Sequence, residues 1–234
     1  MGAETRTGVP ALMPRRPEAI LIVTAHWETE VPTFTAGSRP GLIYDYYGFP
    51  PEMYQLQYPA PGHPALAARA ASLVQAAGFP AQADAEYGWD HGVFIPLKVM
   101  FPEADIPVVA MSLQASLDPA LHCAMGAALR PLRDEGVLLV GAGMSYHNLR
   151  DFAAGAPASH AFHDWLDDAL ANDWQTRTEQ LARWSTAPGG RVSHPREEHL
   201  LPLMVASGAG TDRPGRVLWR GAVGPTSLGA WAFD

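Results

Sequence analysis

Three short apolar runs stand out along the chain: Ala19-Ile-Leu-Ile-Val-Thr-Ala25, Ile106-Pro-Val-Val-Ala-Met-Ser-Leu113 and Gly136-Val-Leu-Leu-Val-Gly141. They are rich in β-branched residues and show no polar alternation, the pattern of strands buried on both faces of a parallel sheet. Ala-rich amphipathic stretches at 64–77 and 119–134 separate them and read as helices, as do 160–171 and 197–207. Strands alternating with helices predict an α/β fold, with a central, mainly parallel sheet flanked by helices. No repeat, low-complexity tract or linker divides the sequence, so residues 1–234 read as a single domain. Residues 1–13 fit none of these patterns and are expected to be poorly ordered.

Residues 37–62 break the pattern. Tyr44, Tyr46, Tyr47, Phe49, Tyr54 and Tyr58 are interspersed there with Pro and Gly, which disfavours regular helix and predicts an ordered aromatic loop. Such a loop either walls a pocket for a flat ligand or packs over one end of the sheet.

Charge and composition then narrow the partners. Sixteen Lys and Arg against 24 Asp and Glu leave a net charge of −8. With no basic run to offset it, that charge argues against nucleic acid and makes small molecules the default ligands. The longest apolar runs fall well short of the roughly 20 residues that cross a bilayer, so no membrane partner is expected. The amino terminus carries no continuous apolar segment of the signal-peptide kind, and a cytoplasmic location follows as the expectation. A lone cysteine, Cys123, excludes an internal disulfide and any multi-cysteine metal site. A metal would therefore draw its ligands from histidine and carboxylate.

Nine histidines are the unusual count. His26 follows the first apolar run and His147 follows the third. Ligands in open α/β sheets bind at the carboxyl ends of strands, so these two can face one site. His91 lies in Trp89-Asp90-His91-Gly92, where the adjacent carboxylate can orient the imidazole, although sequence neighbours need not touch. His194 and His199 bracket Pro195-Arg196-Glu197-Glu198. Glu198 shares a helix face with His194 if the first turn has already formed there, and an ordinary acidic first turn accounts for the glutamates equally well. His63, His122, His160 and His163 have no convergent partner and read as solvated surface positions. There is no glycine-rich phosphate loop, and Gly143-Met-Ser145 lacks the second glycine of a nucleophile elbow.

Five motifs, in order and spacing, resemble a known family. They are Thr24-Ala-His26-Trp27; Tyr47-Gly-Phe-Pro50 with Tyr58-Pro-Ala-Pro-Gly62; Trp89-Asp-His91-Gly92; Tyr146-His147-Asn-Leu149; and His194-Pro-x-x-Glu-His199-x-x-Pro202-Leu203. Together they are similar to the DODA-type (4,5-DOPA) extradiol ring-cleavage dioxygenases of the class III, LigB-like superfamily, over essentially all of the chain from Pro14. The resemblance implies an α/β domain holding one divalent metal, Fe(II) or alternatively Zn(II), that binds a catechol-like aromatic and O2 and opens the ring beside its two hydroxyls. Carried over by motif, His26 and His199 are metal ligands. His147 is the acid/base and is sometimes counted as a third ligand. His91 is a pocket residue contacting substrate or oxygen, and Tyr47 in the aromatic loop is a substrate contact. Histidine and hard ligands on one face leave open positions on Fe(II), and a near-neutral imidazole can take and return a hydroxyl proton.

One departure stands out. Family members begin with a short strand ending in Gly-His-Gly whose histidine supplies a ligand, and here no histidine precedes His26. Either the start of the chain is incomplete, or this is a natural member lacking that ligand and catalytically impaired unless His147 or Glu198 fills the vacancy. Loss of that strand is then expected to leave a neighbouring strand as an edge or to expose core surface, which invites association into homo-oligomers or instability. Two rival readings use the same residues: a non-catalytic metal-binding protein, and a zinc hydrolase.

Overall fold

The three apolar runs pair side by side. Strands β1 (Ala19–Thr29), β2 (Thr33–Thr35), β3 (Gln82–Asp84), β4 (Val108–Gln114) and β5 (Val137–Ala142) form one sheet in the order β3-β2-β4-β1-β5. β1 runs parallel to β4 and β5, and β2 parallel to β3, while β2 meets β4 antiparallel where Phe34 lies beside Met111. The computed structural model describes Met13, residues 15–152, Ala154 and residues 156–234. The expectation for residues 1–12 lies outside the described residues.

Alternate residues of β1 explain why its sequence shows no polar alternation. Leu21 and Val23 pack with Phe34, Met111 and Met204 on one face, and Ile20 and Ile22 pack with Trp89, Phe94 and Leu97 on the other. Both faces are covered over Ala19–Val23, so every position of that stretch is apolar. Ile20, Leu21 and Ile22 are each wholly buried, which is worth about 1.5–3 kcal/mol per side chain.

The helices are α1 (Pro64–Ala76), α2 (His91–Met100), α3 (Pro119–Leu129), α4 (Pro131–Asp134), α5 (Ala156–Leu170), α6 (Trp174–Leu181), α7 (Gly190–Ser193) and α8 (Leu201–Gly208). Their starts follow capping chemistry. Asp118 accepts from Leu121 N–H ahead of Pro119, and the His63 ring accepts from Leu66 N–H ahead of Pro64. The helix predicted over 119–134 is two, because Pro131 has no N–H to continue α3. The helix predicted from 197 begins only at Leu201, and residues 194–200 form turns. α3 and α8 approach closely through glycines: a Cβ on Gly126 would lie 2.1 Å from the Val205 carbonyl oxygen, and one on Gly208 2.1 Å from that of Cys123. β6 (Arg216–Val223) and β7 (Thr226–Ala232) form a separate antiparallel hairpin. Among the described residues no helix is long and apolar enough to cross a membrane.

Two histidines expected at the surface are fully buried. The His122 ring Nδ1 lies 2.6 Å from the Asp118 carbonyl and its Nε2 accepts from Gln114 N–H, while His163 Nε2 lies 2.7 Å from Ser145 Oγ. Helical spacing shows that a face exists, but not which neighbour covers it. His160 is exposed as expected, and His63 is partly buried at its capping position.

The aromatic segment does both things foreseen for it. Tyr58 is buried against Trp89, and Tyr44 packs on Phe94, so part of the loop closes the core. Tyr46, Tyr47 and Phe49 instead line an open cleft.

Candidate active site

The site forms where three loops or strand ends meet. His26 lies inside β1 rather than after it, in the stretch between Val23 and Glu28 where the register with β4 shifts. His147 sits in the loop after β5, its N–H donating to the Ser193 carbonyl at 2.9 Å. His199 sits in the turn before α8, and its carbonyl accepts from Met144 N–H at 3.0 Å. That stitch requires a glycine at 143, since a Cβ there would lie 2.2 Å from the His199 carbonyl oxygen. His91 is the first residue of α2.

Four histidines spread from position 26 to position 199 thereby form one continuous row. The His91 ring stacks on His26 with centroids 4.0 Å apart, His26 Nε2 lies 3.1 Å from His199 Nε2, and His147 stacks on His199 with centroids 3.2 Å apart.

Carboxylates hold the far side of these rings. Asp90 Oδ1 accepts from Thr24 Oγ1 at 2.7 Å and from Gly92 N–H at 2.9 Å, and lies 3.2 Å from His26 Nδ1. Glu198 Oε1 lies 3.2 Å from His199 Nδ1 and 3.6 Å from His147 Nδ1. Its Oε2 accepts from Arg196, which also grips both oxygens of Glu28. Asp45 Oδ1 lies 2.8 Å from His91 Nδ1.

Burial by itself would raise the Glu198 carboxyl, but hydrogen bonds from the His147 and His199 rings and from its own backbone outweigh it and hold the group far below the usual carboxylate range. Burial depresses the His199 imidazole, which stays neutral over an ionised partner. Asp45 is likewise lowered, because the backbone and ring hydrogen bonds from His91 overcome its burial. An ionised carboxylate only accepts, so the Nδ1 atoms facing Asp90 and Glu198 must carry the protons. With both rings neutral and protonated on Nδ1, the Nε2 atoms of His26 and His199 are two lone pairs facing each other at 3.1 Å. That arrangement repels unless something positive sits against both. Two nitrogens so spaced can each lie about 2.1 Å from one cation at close to a right angle, so the donor set fits a metal.

The sequence-based candidates His26, His91, His147 and His199 thus come together. Tyr47 lines the same cleft with its side chain 91% exposed. The pairing of His194 with Glu198 does not form. His194 is wholly buried against Phe162 and Trp184, and that burial drives its pKa down to about 3. Glu198 lies on the Nδ1 side of both rings, and its carboxylate groups with the His147 and His199 nitrogens closely enough to hold a cation there. Asp90 partners His26, 64 residues away, rather than its neighbour His91. Asp45 and Arg196 carried no sequence signal beyond lying near a motif.

The cleft holding these rings encloses about 1310 Å³ and runs from Tyr46, Tyr47 and Phe49 along β5 to the β6–β7 hairpin. Among the described residues β5 is the last strand of its sheet, with Leu138, Leu139 and Val140 half-buried against the cleft.

Comparison with known proteins adds an independent line. The family profile described as the catalytic LigB subunit of aromatic ring-opening dioxygenase matches residues 6–223. A 4,5-DOPA dioxygenase extradiol from Portulaca grandiflora is 46% identical over 209 residues, covering 86% of this chain and 76% of its own. Dioxygenase tasH from Hapsidospora irregularis is 44% identical over 224 residues, covering 88% and 68%. A 4,5-DOPA dioxygenase extradiol from Escherichia coli K12 is 41% identical over 202 residues, covering 83% and 73%. The crystal structure of an uncharacterized Escherichia coli K12 protein superposes with a TM-score of 0.78 at 36% identity, covering 93% of this chain and 86% of that one.

Proposed function

Since the chain belongs to the LigB family of aromatic ring-opening dioxygenases and is an extradiol ring-cleavage enzyme, we propose that it opens a catechol-type aromatic with O2 at the histidine row. We take residues 1–234 as one catalytic domain acting in the cytoplasm, where a single buried thiol, Cys123, stays reduced. In this reading His26, His199 and His147 would hold one divalent metal, Fe(II) or alternatively Zn(II). The observation that carries it is the pair of Nε2 atoms 3.1 Å apart, each backed by a carboxylate on Nδ1. Such a cation, when bound, supplies open positions for the catechol oxygens and O2 and favours the ionised catechol.

The remaining work falls to the chain itself. Asp90 and Glu198 fix the ring planes of His26 and His199, so their Nε2 atoms face the cleft without a cost of reorientation on binding. His147 turns its Nδ1 toward Glu198, which leaves Nε2 to take a proton from a catechol hydroxyl and return it during ring opening. His91, stacked on His26 at the opposite end of the row, contacts the substrate. Tyr46 and Tyr47 offer aromatic surface to a flat ring at the cleft mouth and displace water from it.

The test is anaerobic reconstitution with Fe(II), followed by air and a catechol. The expected result is oxygen uptake and a yellow ring-opened product. His147→Ala should slow turnover by about 100-fold or more, and an unchanged rate would remove the acid/base role. Ester or amide hydrolysis without oxygen uptake would favour the zinc hydrolase, and failure to bind metal at micromolar concentration the non-catalytic protein.

A further inference from the structure

Asp45 lies in a segment with neither helix nor strand, yet its surroundings are fixed from several sides. Tyr44 OH donates to the Leu56 carbonyl and Tyr46 OH to the Met53 carbonyl, each at 2.5 Å. Ile43 N–H donates to the Trp89 carbonyl and Trp89 N–H to the Gly41 carbonyl, both at 2.8 Å, so the chain before Asp45 is laced to the chain before α2. This delivers the Asp45 carboxylate to the first turn of a helix that begins 46 residues later.

There one oxygen does two jobs. Asp45 Oδ1 accepts from His91 backbone N–H at 2.9 Å and lies 2.8 Å from His91 Nδ1. The first of these is an orphan donor at the helix start, which Asp90 leaves open because its own Oδ1 takes Gly92 N–H. The second oxygen faces His26 Nδ1 at 3.6 Å. The packing is close enough that a Cβ on Gly92 would lie 2.8 Å from His26 Nδ1 and 2.7 Å from Thr24 Oγ1. Neutral histidine has two tautomers, and a carboxylate beside one nitrogen selects the form protonated there.

We propose that Asp45 is a positioning residue that locks His91 in the Nδ1–H tautomer, so that its Nε2 faces away from the carboxylate as a hydrogen-bond acceptor for a substrate hydroxyl. The aromatic loop and the histidine row are thereby joined through one side chain: Asp45 is flanked by the tyrosine that packs edge-on against the His91 ring, Tyr46. That the acceptor meets substrate rests on the reading above, whereas the tautomer itself does not.

Multiple-bond proton–nitrogen NMR of histidine-labelled, metal-free protein above neutral pH reads the tautomer directly. The wild type should show His91 protonated on Nδ1. In Asp45→Ala the Nε2–H form should become the major one, with the other histidine signals in place. Asp45→Asn, whose amide oxygen can still accept, should retain part of the Nδ1–H form and guards against a variant that fails to fold. With Fe(II) and a catechol, kcat/KM should fall about 10–100-fold in Asp45→Ala and less in Asp45→Asn. Nε2–H in the wild type, or Nδ1–H persisting in Asp45→Ala, overturns the lock. A lost tautomer with unchanged turnover upholds the lock and instead removes His91 from the catalytic reading.

Discussion

Glu198→Gln isolates the charge behind two rings of the site while keeping the shape. The carboxylate is 85% shielded, its side chain 15% exposed, and Oε1 stands 3.2 Å from His199 Nδ1. At 3.6 Å the His147 contact is the longer and weaker of the two, so the His199 bond sets the magnitude. A hydrogen bond to an ionised partner is worth about 1.5–3 kcal/mol against about 1 for a neutral one. Substitution should therefore weaken the hold on the His199 ring by about 1–2 kcal/mol, or about 5- to 30-fold in the dissociation constant of a bound divalent metal. Arg196 keeps both oxygens of Glu28, so the variant leaves no stranded buried cation. Calorimetric titration with Zn(II), wild type against variant, measures the ratio. Glu28→Gln is the control, since Glu28 reaches the rings only through Arg196, and should change the constant by less than about 3-fold. Equal losses in both variants, or none in Glu198→Gln, would refute the argument.

Three further outcomes are expected. Tyr47→Ala removes exposed aromatic surface from the cleft mouth and should raise KM about 3- to 10-fold with kcat nearly unchanged; a fall in kcat instead would place Tyr47 in the chemistry. Burial lowers His163 to about 4 and His194 to about 3. The unfolded chain therefore takes up protons first as pH falls through its histidine value of about 6.5, and stability is complete above that pH and lost below it. By about pH 5 the loss should reach about 4 kcal/mol for the two together; a urea midpoint that stays flat from pH 7 to 5 would contradict it. Glu198 and Asp45 act in a separate window at lower pH, because their lowered carboxyls stabilise the fold above the ordinary carboxylate range and lose that contribution as they protonate. Finally, Gly126→Ala sets a methyl 2.1 Å from the Val205 carbonyl oxygen, so α3 and α8 must part at a cost of about 1–3 kcal/mol. An unshifted melting temperature would show that the two helices move apart freely.

The sheet's centre was legible from local chemistry. A stretch covered on both faces has no polar residue to place, so the runs that became β1, β4 and β5 announced themselves, and the Ala-rich amphipathic stretches that became α1 and α3 did likewise. The short outer strands β2 and β3, the half-exposed hairpin β6–β7, and α2, which opens on His-Gly and contains Pro96, carried no such pattern.

For the site, five motifs were enough to identify the family and to single out His26, His91, His147 and His199, because chemistry restricts which residue types can stand there. Which carboxylate serves which ring was decided only by the fold. Asp90 is adjacent to His91 in the chain yet serves His26, because helix geometry turns consecutive side chains in different directions. Asp45 reaches His91 only because the loop is laced to the start of α2. His122 and His163 were read as surface and are buried, since burial belongs to the neighbour that packs against a helix and not to the helix's own spacing. Residue identity sets what a group can do, and the partners that orient it come from parts of the chain whose meeting no local pattern encodes.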